Sequence, residues 1–309
     1  MIERPRNPVI PGNSRDRTGS AGILRRGNAE ISRRWRSLQA DVLAAFDRLP
    51  VYQLNEDDKG SDTPIPVRYG VTPQVLDQAT SDLQAALDRW ILDGRQADHV
   101  AWWDVYEQEA AQLGTAQSVA NLSNLSAAYA STRTLQTVVF SEPYRQRAQM
   151  ARTLSREYWT GLADESRAKL SSIIGRAVID GKNPKVVRKE IMEALGVSKS
   201  RATLYAQTDI TGTLREARWA EADAAEAELG VRTALLWTSA LIATTRPWHA
   251  SRNGQSYSTE QVRAFYATNG NRFRCHCAQT ECLLDAQGKP ILTKALQSAM
   301  ANERRVWFE

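Results

Sequence analysis

From Thr72 to Glu228 the apolar residues recur at three- and four-residue spacing with hardly a break, and no other feature of the chain restricts its fold as much. Thr72-Pro73 reads as an N-cap followed by proline at the first helical position. Val75, Leu76, Ala79, Leu83, Leu87, Trp90 and Ile91 then form a buried face that Asp93-Gly94 ends. A second helix is expected over about 98–130, with Gly114 as a point of interruption. Neighbours on a helix point in different directions, so one of Trp102 and Trp103 is expected at a partner surface. Ser141-Glu142-Pro143 starts another helix that continues to the turn at Gly181-Lys182-Asn183-Pro184. A short helix over 184–195 is expected to stop at Gly196, and a long one capped by Ser198 or Ser200 to reach 228. Upstream, Ile31, Trp35, Leu38, Val42, Leu43 and Phe46 place a first helix over 28–49, and 50–71 reads as a loop or linker.

The pattern changes at Gly230. Residues 231–238 read as a strand, Asn253-Gly254 and 285–290 as turns, and about 293–306 as a last helix. The expected fold is mainly α: an elongated helical bundle followed by a small α+β C-terminal module, with an extended basic N-terminal arm. The expected divisions are an arm at 1–27, a helix plus linker at 28–71, a helical domain at 72–228 and the α+β module at 229–309.

Charge is concentrated in the arm. Nine arginines against Glu3, Asp16 and Glu30 give residues 1–36 a charge of 9 − 3 = +6, so the rest of the chain sums to about −1 of the total +5. Such clustering suits a polyanion or an acidic protein face, with Arg4, Arg6, Arg15, Arg17, Arg25 and Arg26 as candidate contacts, or a merely solvated terminus. No apolar run reaches the roughly 18 residues a membrane helix needs, and none follows the N-terminus as a signal segment, so a cytoplasmic protein is expected. There is no Gly-rich phosphate loop.

The chain has three histidines and three cysteines, and His249, Cys275, His276, Cys277 and Cys282 fall within 34 residues. Thiolate and imidazole are the ligands tetrahedral zinc prefers, and a small module gains from a metal staple. His249, Cys275, Cys277 and Cys282 are therefore a candidate structural zinc site, with buried unliganded cysteines as the alternative. A histidine- or zinc-dependent nuclease acting on DNA is the competing function, but residues 238–258 supply no Asp or Glu to hold its metal, and no catalytic constellation is complete.

Three segments carry a resemblance: Ser200–Asp209 with Arg215 and Ala217 after it; Trp237–Ala250 with Thr245-Arg246, His249 and Asn253-Gly254-Gln255; and Asn271–Cys277, ending Cys275-His276-Cys277. Together they resemble the Mu F-like (SPP1 gp7-like) family of phage minor head, or head morphogenesis, proteins over about 160–285. Gln207, Asp209, Ala243 and Phe273 depart from the family pattern, whereas Arg246, His249, Cys275 and Cys277 keep it. The resemblance implies a non-enzymatic virion component of low copy number, inside the capsid near the portal vertex after assembly in the host cytoplasm. It implies the portal protein as partner. A major capsid or scaffolding protein and packaged double-stranded DNA are further candidates, and a membrane is not. Arg246, Arg272 and Arg274 then join the arm as candidate phosphate or portal contacts, with ordinary surface ion pairing as their alternative.

Overall fold

The computed structural model describes residues 6–53, 67–94 and 98–309. The chain begins with α1 (Ala21–Asp47), β1 (Val51–Gln53), β2 (Val67–Tyr69), α2 (Pro73–Ile91) and α3 (Ala101–Leu125). The short helices α4 (Ala127–Thr132) and α5 (Leu135–Val139) precede two long ones, α6 (Glu142–Asp180) and α7 (Pro184–Leu229). Then come β3 (Thr233–Thr238), α8 (Pro247–Ala250), β4 (Ser256–Tyr257), α9 (Thr259–Ala267), β5 (Ala278–Leu283) and α10 (Lys294–Phe308). The fold is mainly α, as the periodicity implies, with a small sheet module towards the C-terminus. No described helix is long and apolar enough to cross a membrane.

The chain forms two compact units. One gathers Gly27–Asp104 and Arg152–Tyr205. Its centre is Trp159, whose ring lies 6.4, 4.9 and 5.3 Å from those of Trp35, Trp102 and Trp103. Both neighbouring tryptophans are thus buried, which corrects the expectation of a partner surface. The ring of Trp102 is spared an exposed position because its indole N–H donates to Ile91 O and Arg34 covers its face. α2 starts as read, with Thr72 Oγ1 accepting from Val75 N, but its buried face is confined to the later turns: Leu83, Ala86, Leu87 and Ile91 are buried and Leu76 is exposed. Where a linker was expected, β1 and β2 pair antiparallel, Val51 opposite Tyr69; the Asp57–Gly60 and Pro64–Pro66 signals lie outside the described residues. Gly181 ends α6 at φ +62, and a Cβ there would sit 2.5 Å from Val67 O, so only glycine fits.

α7 is one helix, where two were expected. Gly196 costs about 1 kcal/mol in a helix interior, and burial of Val187, Ile191, Leu195 and Ala202 on one stripe outweighs it. The expected caps are otherwise engaged: Ser200 Oγ donates to Gly196 O and Ser198 Oγ pairs with Ser166 Oγ.

The second unit gathers Met1–Arg26, Val105–Ala151 and Ala206–Glu309. Its residues 6–20 are not helical, but they are tied down. Val9 N donates to Asn121 Oδ1, Asn7 bonds both ways with Thr293, and Arg17, Thr18 and Ser20 are buried. The helix after them starts at Ala21 rather than residue 28, since Ser20 closes the preceding turn and Asp16 accepts from Ala21 N. The expected 98–130 helix divides because Ser126 caps α4, its side chain accepting from Tyr129 N. Gly114 does not interrupt α3. It lets the helix approach α7, where an added Cβ would lie 2.2 Å from Leu214 O. Gly114→Ala is therefore expected to lower the unfolding free energy by about 1–3 kcal/mol through overpacking of two helical backbones. Urea denaturation measures this, and an unchanged midpoint would contradict so close an approach.

The sheet of this unit has the order β4-β3-β5, all antiparallel. Alternation along β3 serves two cores. Leu235 and Trp237 pack with Trp219 of α7, Val262 and Tyr266 of α9, Cys275 and Cys277. Ala234 and Leu236 face the other way, with Cys282 of β5 and Met300 of α10. Burial on both faces is why this strand reads as a continuous apolar run.

Candidate functional site

The site grows from the loop after β3. Asn253, fully buried, accepts from Ser239 N through Oδ1 and donates to Met300 O through Nδ2. Gly254 turns beneath Met300 at φ +78, where a Cβ would lie 2.9 Å from that side chain. Ser239 Oγ donates to His249 O, fixing α8. Arg246 reaches across to the return segment and donates to Asn271 O at 3.1 Å and Phe273 O at 2.5 Å.

These contacts seat His249, 2% exposed, against two sulfurs. Its Nδ1 lies 3.5 Å from Cys275 Sγ and 3.9 Å from Cys277 Sγ. Its Nε2 faces Arg246 Nη1 at 3.1 Å. A guanidinium only donates, so Nε2 accepts and the ring proton sits on Nδ1, facing the sulfurs. A second donor approaches Cys275 from Tyr266, whose hydroxyl is 3.4 Å away. That hydroxyl accepts from Gln279 Nε2 at 2.9 Å, which leaves its own proton for the sulfur.

Beneath the cluster lies Arg215, fully buried, donating to Cys275 O at 2.9 Å and to Cys277 O at 3.2 and 2.6 Å. Its charge has no carboxylate partner among the described residues and rests over the Tyr266 ring at 4.7 Å. Burial opposes ionisation of Cys275, but the Cys277 thiol, Arg215 and His249 together hold its pKa well below the usual range. The same Cys275–Cys277 contact, with burial, pushes the Cys277 thiol up.

His249, Cys275 and Cys277 offer ligand atoms within 4.8 Å of one another, so the cluster can hold a metal ion. Tetrahedral bonds of about 2.3 Å to sulfur and 2.0–2.1 Å to nitrogen put N and S about 3.5 Å apart, close to the observed separations. Cys282 does not join the cluster. It stands on the opposite face of β5, donating to Ala234 O, and burial pushes its thiol up to about 11. Five residues separate it from Cys277, an odd step that reverses the face of a strand.

The cluster floors a cleft of about 310 Å³, lined also by Gln207, Thr244, Thr245, Arg274 and His276. No lining residue is a carboxylate. Gln207 reaches His276 Nε2 at 3.3 Å. Of the arginines read as contacts, Arg246 and Arg274 meet at this cleft, and Arg272 is exposed beside it. Arg6 is spent on Asn124 O, Arg17 on Pro11 O and Arg26 on Glu109; Arg15 and Arg25 are exposed, and Arg4 lies outside the described residues. Sequence reasoning missed Tyr266 and Gln279 and saw Arg215 only as part of a motif. Their partners lie on other elements, and no spacing signals them.

Residues 168–280 match the family model described as Phage Mu protein F like protein. No curated protein and no solved structure matches the chain. The matched stretch takes in the end of α6, all of α7, the pinned loop and both cluster cysteines.

Proposed function

We propose, for a chain that carries a Phage Mu protein F like region over 168–280, the role of a minor component of a phage head acting in head morphogenesis. The observation that carries this reading is the coincidence of that region with a pinned scaffold. Every retained residue of the Arg246–His249–Asn253 loop has a structural partner: a carbonyl, a sulfur or α10. A scaffold of this kind presents surfaces for assembly.

Within this role the chain sits in the virion, inside the capsid near the portal vertex. The portal protein is its main partner, major capsid or scaffolding protein a secondary one, and packaged duplex DNA its polyanion. His249, Cys275 and Cys277 hold one zinc ion, which ties α8 to the return segment. A zinc ion held there would supply cross-linking between α8 and the return segment.

Co-purification of the tagged chain with the portal of the same virus tests both statements. The expected result is a stoichiometric complex with about one zinc per chain. Failure to bind the portal overturns the proposed location, and a metal-free complex overturns the zinc assignment.

A further inference from the structure

The carboxylate-free cleft over the cysteine cluster gathers guanidinium charge that no carboxylate among the described residues pairs with. Arg246 is held by two carbonyls and an imidazole, all uncharged acceptors. Arg215, below, is held by carbonyls alone. Arg274 forms no hydrogen bond or ion pair with any described residue, and it lines the cleft from an exposed position in the left-handed region, φ +50. Zinc does not alter this balance, because one dication with two thiolates sums to zero.

Other lining groups can also donate. Thr245 Oγ1 accepts from Ile242 N at 3.0 Å, which leaves its hydroxyl proton to give. Thr244 adds an exposed hydroxyl and Gln207 an amide. Guanidinium, hydroxyl and amide donors converging without an acceptor-only group suit a tetrahedral oxyanion with several oxygens to satisfy. The rim points to a nucleic acid as the bearer of that oxyanion. Arg272 lies over the Phe273 ring at 5.1 Å, so Arg272-Phe273-Arg274 presents cation, aromatic face and cation in succession, with Phe273 38% and Trp248 51% exposed. Arginines take the phosphate backbone of a duplex, whose bases stay stacked on one another.

We infer that this cleft is a phosphate-binding site for a DNA strand, with Arg274 as the principal contact, Arg272 as a second, and Arg246 as a pinned charge that shapes the floor. The inference rests on the head-protein reading only for the source of the strand, the packaged genome.

Anisotropy of a fluorescein-labelled DNA oligonucleotide against the purified full chain tests it. The wild type is expected to bind, and the Arg272→Ala/Arg274→Ala double variant to bind on the order of tenfold more weakly, with a log–log salt slope smaller by about two phosphate contacts. A second variant, Arg15→Ala/Arg25→Ala, removes two exposed arm charges and is expected to change binding less. Equal affinity and slope for wild type and the 272/274 variant overturn the site, as does loss of binding in the arm variant alone or no binding by the wild type. Portal co-purification of the 272/274 variant separates the two readings: it is expected to persist, and its loss in wild type and variant alike indicts the head assignment, not the cleft.

Discussion

Arg218→Ala is expected to lower the unfolding free energy by about 3–5 kcal/mol, because it strands a carboxylate in the core of the unit built around α7 and the sheet. Arg218 meets Glu281 of β5 through two bonds, Nε to Oε1 at 3.0 Å and Nη2 to Oε2 at 2.6 Å, and Asn121 Nδ2 adds a third at 2.8 Å. The two side chains are only 5% and 0% exposed. Water therefore cannot replace the guanidinium when it is removed. Burial works against the Glu281 carboxylate, but Arg218 and Asn121 outweigh it and hold its pKa below the ordinary 4.5. A depressed folded-state pKa gives stability that is present above the unfolded value and lost as pH falls through the folded one. The gap between wild type and variant is thus expected to be full at neutral pH and to narrow below about pH 4.5. Denaturation midpoints at pH 7 and pH 4 measure it, and a gap that does not depend on pH would contradict the assignment.

Arg215→Met is expected to cost about 2–6 kcal/mol, the sum of two buried carbonyls left without donors at roughly 1–3 kcal/mol each. Methionine fills much of the volume, and Cys275 also loses one of the groups that hold its pKa down. Arg215→Lys is expected to recover little, because an ammonium on a flexible stem lacks the planar fork that reaches Cys275 O and Cys277 O together. The return segment is the part that loosens. Amide hydrogen exchange over residues 271–277 should therefore speed up in Arg215→Met, while that of α10, on the other face of the sheet, remains slow. Equal exchange rates in wild type and variant would show that Arg215 does not hold this segment.

Much of the architecture is legible because helices announce themselves locally. Thr72 caps α2, Glu142 opens α6 and Gly181 closes it where the residue chemistry places them. Local signals mislead where a long-range contact decides. Gly196 looks like a stop, yet the buried stripe on either side carries α7 through it. The 6–20 segment has no periodicity and reads as solvated, yet asparagine side chains supply the bonds that fix it. At the site, His249, Cys275 and Cys277 could be paired from residue type, and strand alternation alone separates Cys282 from them. Arg215, Tyr266 and Gln279 could not be placed, because an arginine bound to carbonyls leaves no complementary charge in the sequence to find.

Incorporation into a phage head is what the proposed role requires of this chain. Quantitative mass spectrometry of purified, protease-treated, DNA-filled heads tests it directly. The chain should survive with the heads, protected inside, at a copy number far below that of the major capsid protein. Heads that contain none of it, or only a fraction that protease removes, would contradict the account.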